Sequence, residues 1–296
     1  MLGAVLVNGL RQSRSRLAMQ APLNRETVHF WQDRVLNNLE LLHAHYITQR
    51  FAPHSHEEFA IGVIEAGGQA FTYQRRSEWL MPAGSIAVIN PQVVHTGHAA
   101  TPQGWVYRMF YPPAQILQQA ASQLAGRNQA TPFFPQPVIH DPFLMQRLLQ
   151  LHQLLEDPST TALERESRLL WTMAQLIIRH AQSKPALSAQ QLHPKAVTTI
   201  REYLAVHYAD SISLEQLAQL VNLSPFHTLR MFRQATGLPP HGYLIQLRIN
   251  QAKQLLHTQL PLAEVAVQTG FSDQSHLNRH FKRVLGVTPL QYRRQG

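Results

Sequence analysis

The sequence predicts an α+β chain: a small β-barrel or sandwich with helical support, followed by an all-α C-terminal domain of two helix-turn-helix units. Three observations carry this. Short apolar–polar alternating stretches punctuated by turn residues fill residues 36–111, as in an antiparallel barrel. From 144 onward the apolar spacing changes to threes and fours, the period of a helix. After residue 195 one helix–turn–helix pattern occurs twice.

The strands come first. Leu39-Glu40-Leu41-Leu42-His43 and Ile86-Ala87-Val88-Ile89 alternate, and Gly67-Gly68, Pro82-Ala83-Gly84, Asn90-Pro91 and Pro112-Pro113 mark turns. Two amphipathic helices follow, one on Leu144, Leu148, Leu151 and Leu155, the next on Leu163, Leu170, Met173 and Ile177. Their apolar faces fit either the barrel or a second copy of the chain, so residues 143–180 are the expected dimerisation element. Residues 181–194 are polar, hold two prolines and lack periodicity, as a linker does. The expected division is therefore a leader at 1–22, a sensing and dimerisation domain at 23–180, a linker at 181–194 and a helical domain at 195–296. Met1 to Leu10 is apolar and Arg11, Arg14 and Arg16 follow it, the reverse of a secretory signal. We expect a disordered leader here, with Met19 as an alternative start.

Composition narrows the function classes. The 296 residues suffice for two domains, and 44% are apolar, enough for a core. No cysteine is present, which excludes disulfides, zinc fingers and thiol catalysis and fits a cytoplasmic location. No apolar run has the ~20 residues of a spanning helix, so no membrane partner is expected. Net charge is +9; eleven Lys/Arg and five Asp/Glu lie after Pro194, against fifteen and twelve before it. Positive charge is denser in the C-terminal third, as a polyanion partner requires.

The repeat is the strongest signal. Leu214-Glu215-Gln216-Leu217-Ala218 matches Leu262-Ala263-Glu264-Val265-Ala266 at an offset of 48. After the turn, Arg230, Phe232, Gly237, Pro240 and Tyr243 match Arg279, Phe281, Gly286, Pro289 and Tyr292 at 49, so the second turn region holds one extra residue. Ser213 with Gln216 forms a capping box, Ser224 caps the next helix with Pro225 inside it, and Ser272 is the expected cap in the second copy. Ala218 and Ala266 are small where two helices cross, and Gly237 and Gly286 stop the second helices. This is the helix-turn-helix signature. A solenoid is the alternative, but two copies are too few and the second helices carry exposed basic residues.

The run SPFHTLRMFRQATGLPPHGYL…RINQAKQLL, then EVAVQTGFSDQSHLNRHFKRVLGVTPLQYRR, resembles the DNA-binding domain of the arabinose-operon (AraC/XylS) regulator family over about residues 196–294. The resemblance implies a long helix, here Tyr243–Leu256, joining the two units. It implies an effector-responsive, activating, sequence-specific regulator of transcription. Its expected partners are double-stranded DNA, RNA polymerase, an unknown small-molecule effector and a second copy of the chain. The N-terminal, solvent-facing positions of a recognition helix reach base edges. In the first unit these are Phe226, His227, Leu229 and Arg230; in the second, Gln274, Ser275, Asn278 and Arg279. Lys282, Arg283, Arg293 and Arg294 are expected at phosphates. Thr228 replaces the bulky apolar residue common at its place.

His54-Ser55-His56-Glu57-Glu58, Pro82-Ala83-Gly84 and His95 resemble the cupin-like sensor domain of the same family. His54, His56, Glu58, His95, Tyr107 and Arg108 are the candidate effector pocket. Histidines with purely structural hydrogen bonds remain the alternative. The carboxylate that completes a cupin metal set is missing: Glu57 and Glu58 are too near, Glu65 too far. No metal, no cofactor and no catalytic residue is therefore expected. A cupin-type metalloenzyme and a ligand-independent DNA-binding protein are the rival readings.

Overall fold

The structure, a computed structural model, describes residues 25–73, 77–185 and 193–295. The expected leader and residues 186–192 of the expected linker lie outside them.

Among the described residues nine strands form the N-terminal part: β1 (Thr27–Asp33), β2 (Leu39–Tyr46), β3 (Arg50–His54), β4 (Ala60–Tyr73), β5 (Ser77–Pro82), β6 (Ile86–Ile89), β7 (His95–Ala99), β8 (Trp105–Tyr111) and β9 (Val138–Ile139). One layer runs β1-β2-β8-β4-β6-β9, and β3, β7 and β5 build a second layer on the far half of β4. The expected α+β class is observed; of the barrel or sandwich expected for the strands, the sheet is an open two-layer arrangement, not a closed barrel. The reason lies in β4. Its 14 residues change register between Ile64 and Ala66. At Gly67 (φ +70°) it passes so near Gly104 that a Cβ would meet that carbonyl at 2.0 Å. The bulged strand bends and serves both layers, and among the described residues β1 and β9 do not pair with each other.

Pleat alternation then makes two cores. Leu42, Ala44, Ile64, Phe71, Tyr107 and Met109 face the space between the layers. Leu39, Leu41, Ile61, Val63, Val88 and Phe110 face outward, under three helices. These are α1 (Ala114–Ala125), α2 (Pro142–Glu156) and α3 (Ala162–His180). The second and third were expected. The first was not, because two of its four buried positions are alanines, Ala120 and Ala121 beside Leu117 and Leu124, and give little apolar contrast.

The C-terminal part is helical: α4 (Pro194–Val206), α5 (Leu214–Leu220), α6 (Pro225–Thr236), α7 (Pro240–Leu256), α8 (Leu262–Gln268), α9 (Gln274–Leu285) and α10 (Pro289–Gln295). Both halves of the Ser213–Gln216 capping box form, and Ser224 caps α6. In the second unit the cap is Asp273, which accepts from the His276 amide at 2.8 Å, rather than Ser272. The extra residue of the second repeat shifts the start of α9 by one. Gly237 and Gly286 both end their helices at φ 77°. Ile200, Leu217, Leu229 and Phe232 center one core; Ile249, Val265, Leu277 and Phe281 center the other. The joining helix α7 is one turn longer at its start than expected. It carries Arg248, 2% exposed, which donates to the carbonyls of Tyr208 (2.7 Å) and Asp210 (2.9 Å).

Three histidines are buried in these cores: His152 in α2, and His276 and His280 in α9. Burial lowers His152 to about 3, with Arg108 adding to it; burial and Arg279 lower His276 to about 4; burial and Arg283 lower His280 to about 3. The unfolded chain takes up protons near pH ~6.5 while the fold resists them. Stability should therefore fall as pH drops from about 6.5 to 4. A His152→Gln variant should lose less over that window in thermal unfolding scans. Equal acid sensitivity of the two proteins would remove His152 from this account.

Candidate nucleic-acid interface and ligand pocket

The two equivalent helices, α6 and α9, present different surfaces. On α9, Gln274, Ser275, Lys282 and Arg283 are exposed and Asn278 is half-buried. Arg279 is exposed too, but it pairs with Asp157 at 2.5 Å and donates to Ser159 Oγ at 2.7 Å, in the turn between α2 and α3. Arg283 Nη2 lies 2.7 Å from His280 Nδ1. Arg293 donates to the Leu260 carbonyl at 2.7 Å, bracing α10, whereas Arg294 is exposed.

Of the four α6 residues expected to reach DNA, His227 and Arg230 are partly open and Phe226 and Leu229 are buried. Leu229, expected to face solvent, is 2% exposed in the core of the first unit. It lies three residues before Phe232, one helical turn, and so shares the inward face. Thr228 is fully buried and, among the described residues, its hydroxyl has no hydrogen-bond partner. Phe226 is 4% exposed because the N-terminal part covers it: its ring stacks on Trp171 of α3 at 6.2 Å and 16°.

That contact is one of several from α1 and α3 to the first unit. Gln123 Oε1 accepts from the Phe226 amide at 2.8 Å, and Glu166 Oε2 from the Leu214 amide at 2.6 Å. The open first-turn amides of α6 and α5 are thus met by side chains from the N-terminal part. Arg233 lies over the Trp171 ring at 4.9 Å, in cation–π geometry. Sequence reasoning missed Trp171, Gln123, Glu166 and Asp157, since nothing local marks a residue whose partner lies about 50 to 120 positions away.

The second candidate site lies between the two layers of strands. A cavity of about 100 Å³ is walled by Leu42, Phe71, Met81 and Met109, and His54, His56 and His95 stand at it. Their ring centroids are 4.4 to 5.2 Å apart, and one nitrogen from each ring lies within 4.8 Å of the others. His54 Nδ1 sits 2.8 Å from the Ala52 carbonyl and His95 Nδ1 3.0 Å from that of Val93. A carbonyl only accepts, so both Nδ1 atoms carry a proton, which in a neutral ring leaves Nε2 as the acceptor. Burial lowers His95 to about 4 and also lowers His56, assisted by neighbouring His54. Neutral imidazoles with a fixed Nδ1–H can accept from a hydroxylated ligand or hold a transition metal.

Tyr107 also lines the cavity, and burial raises its phenol. Tyr111, Gln69 and Thr96, which sequence reasoning did not single out, add polar groups. Glu58 is half-buried and does not line the cavity. Arg108 faces the opposite side of β8 from Tyr107, as strand alternation dictates, and the pocket assignment is corrected there. It donates to Glu65 at 2.8 Å and Glu156 at 2.6 Å, beside His152 Nδ1 at 3.1 Å. This network pins α2 to the outer face of the sheet.

Comparison with known proteins separates the same two parts. Residues 36–173 match the family model of an AraC-like ligand binding domain, and residues 217–295 that of a helix-turn-helix domain. The uncharacterized HTH-type transcriptional regulator YbfI of Bacillus subtilis (strain 168) is 34% identical over 231 residues, covering 78% of this chain and 82% of its own length. The arabinose operon regulatory protein of Escherichia coli (strain K12) is 27% identical over 234 residues, covering 76% and 77%. Among solved structures, the DNA-binding domain of AdpA in complex with a target DNA is 33% identical, covering 34% of this chain and 91% of that one, with a TM-score of 0.33.

The Phe226–Trp171 stack and the Arg279–Asp157 pair are two of the contacts that dock the two parts. A Trp171→Ala, Asp157→Ala double variant should have a larger radius of gyration by small-angle scattering while both parts stay folded. An unchanged radius would show that other contacts hold them.

Proposed function

The chain belongs to the AraC family of transcriptional regulators, and we propose that it reads a two-part DNA site with α6 and α9 under control of the pocket between the strand layers. DNA binding through helix-turn-helix units and a ligand-binding N-terminal part come with the family. The residues, the partners and the direction of control are our reading.

The observation that carries this reading is the pair of structurally equivalent helices on one rigid connector. Each starts at a capped N-terminus, ends at a left-handed glycine and carries an arginine at the same place, Arg230 and Arg279. A recognition helix of this kind enters the major groove with its first turns toward base edges. In α9, Gln274, Ser275, Asn278 and Arg279 occupy those turns and Lys282 and Arg283 follow toward phosphates; in α6 the corresponding positions are Phe226, His227 and Arg230. Arg can pair bidentately with guanine, and Gln or Asn with adenine. Leu229 supports α6 from inside instead of touching DNA. Phe226 and Arg279, one from each helix, are engaged by the N-terminal part, so DNA competes with that docking.

The sensing domain extends to about residue 180, the linker to 194, and the DNA-binding domain from there. His54, His56, His95 and Tyr107 contact the effector, a small polar molecule suited to imidazole acceptors. The protein acts in the cytoplasm as an activating homodimer that contacts RNA polymerase. A ligand shifts activity by the difference in its affinity for docked and released arrangements.

The test uses DNA selected from a random pool by the full chain, with random DNA as comparison. Arg230→Ala and Arg279→Ala should each cost about 1–3 kcal/mol on selected DNA and relax one base position. Equal loss on both DNAs for both variants would mean phosphate contact only. No loss on either would overturn the docking of α6 and α9 in the groove.

A further inference from the structure

A second cavity, of about 310 Å³, lies between the N-terminal part and the first helix-turn-helix unit. Its volume falls at the low end of small-molecule sites, about 300–1,000 Å³. It is separate from the histidine-lined pocket and shares no residue with it. Helices α2 and α3 form one wall; α6 and the start of α7 form the other.

Its chemistry is cationic on an apolar base. Arg147, Arg168 and Arg233 contribute guanidinium groups, and Phe143, Trp171 and Leu229 contribute apolar surface. Arg147 and Arg233 lie over the rings of Phe143 and Trp171, at 5.2 and 4.9 Å. The one carboxylate paired with these arginines among the described residues is Glu164, 3.3 Å from Arg168 Nη2. Three buried polar atoms of its lining residues have no hydrogen-bond partner among the described residues: Ser167 Oγ, Arg168 Nε and His241 Nδ1. Ser167 is 1% exposed. Such groups are costly to leave unpaired, most of all a charged one.

The backbone points the same way. Helix α7, 17 residues long, starts at Pro240, and Pro239 before it supplies no side-chain cap. Its positive end opens beside His241, and an anion satisfies both the amides and the dipole. His241 is held neutral, lowered to about 3 by burial and then by Arg168, Arg283 and Arg233. Every charge acting on that ring is positive.

We propose that this cleft binds an organic anion, a carboxylate or phosphate group on a flat apolar body. The anionic group takes Arg168 Nε, Ser167 Oγ and the start of α7. The body lies against Trp171 and Phe143, where Arg233 and Arg147 close over it. Bound there, the ligand touches both parts of the chain at once.

Calorimetric titration of the full chain tests this, with phenyl phosphate and phenylacetate as probes and benzyl alcohol as the neutral analogue. Both anions should bind saturably and the alcohol should not; the tighter of the two identifies the preferred headgroup. Arg168→Gln and Ser167→Ala should each weaken the anions, the former by about tenfold or more, the size of a lost charge-assisted hydrogen bond. Arg34→Gln, in the 3₁₀ turn Arg34–Leu36 and outside the cleft lining, should bind as the wild type does. Circular dichroism checks that each variant is folded. Absence of anion binding at millimolar concentration, benzyl alcohol binding as tightly as the anions, or folded Arg168→Gln and Ser167→Ala proteins that both bind normally would overturn the proposal.

Discussion

Helix α3 has two faces to bury, and the rest of the structure is arranged around that requirement. Leu169, Met173, Leu176 and Ile177 go into the core that α1 and α2 share with the sheet. Leu163 goes into the core of the first helix-turn-helix unit, where Leu170 and Trp171 also pack. A single amphipathic helix ordinarily buries one stripe. Here Trp171 carries the second contact by stacking on Phe226. The start of α6 is therefore in direct contact with the helix that packs on the sheet. The polar contacts follow the same geometry: Glu166 from α3 and Gln123 from α1 meet the amides that start α5 and α6.

Much of this fold was legible because repeats and caps are local signals. The Ser213–Gln216 box, the Ser224 cap and the glycine stops can be read within a few residues of each helix end. The two leucine-rich helices could be read because their apolar residues contrast with polar neighbours. Helix α1 could not, since alanines supply half of its buried positions. The open form of the sheet was hidden for a different reason. It depends on a bulge and a close backbone approach at Gly67, fixed by pairing with a strand some forty residues further on.

The site residues divide along the same line. His54, His56 and His95 come together because β3 pairs with β7 at His54 and His95, and His56 follows two residues after the end of β3. Arg108 was assigned to the wrong face: adjacent residues on β8 point oppositely, and Tyr107 holds the inner side. Leu229 was misplaced by the same kind of error on a helix, being within one turn of Phe232. The docking residues were illegible altogether. Trp171 and Phe226 are separated by 55 positions and Asp157 and Arg279 by 122, so only the folded arrangement pairs them.

The central claim is that α6 and α9 use the same side chains for docking on the N-terminal part and for reading DNA. Hydrogen–deuterium exchange of the full chain, with and without selected DNA, tests it most directly. If the surfaces compete, DNA should protect the first turns of α6 and α9 while deuterium uptake rises around Asp157–Ser159 and along the Trp171 face of α3. Protection of the two helices with unchanged or lower uptake in those two segments would contradict it, because DNA would then bind with the docking contacts intact.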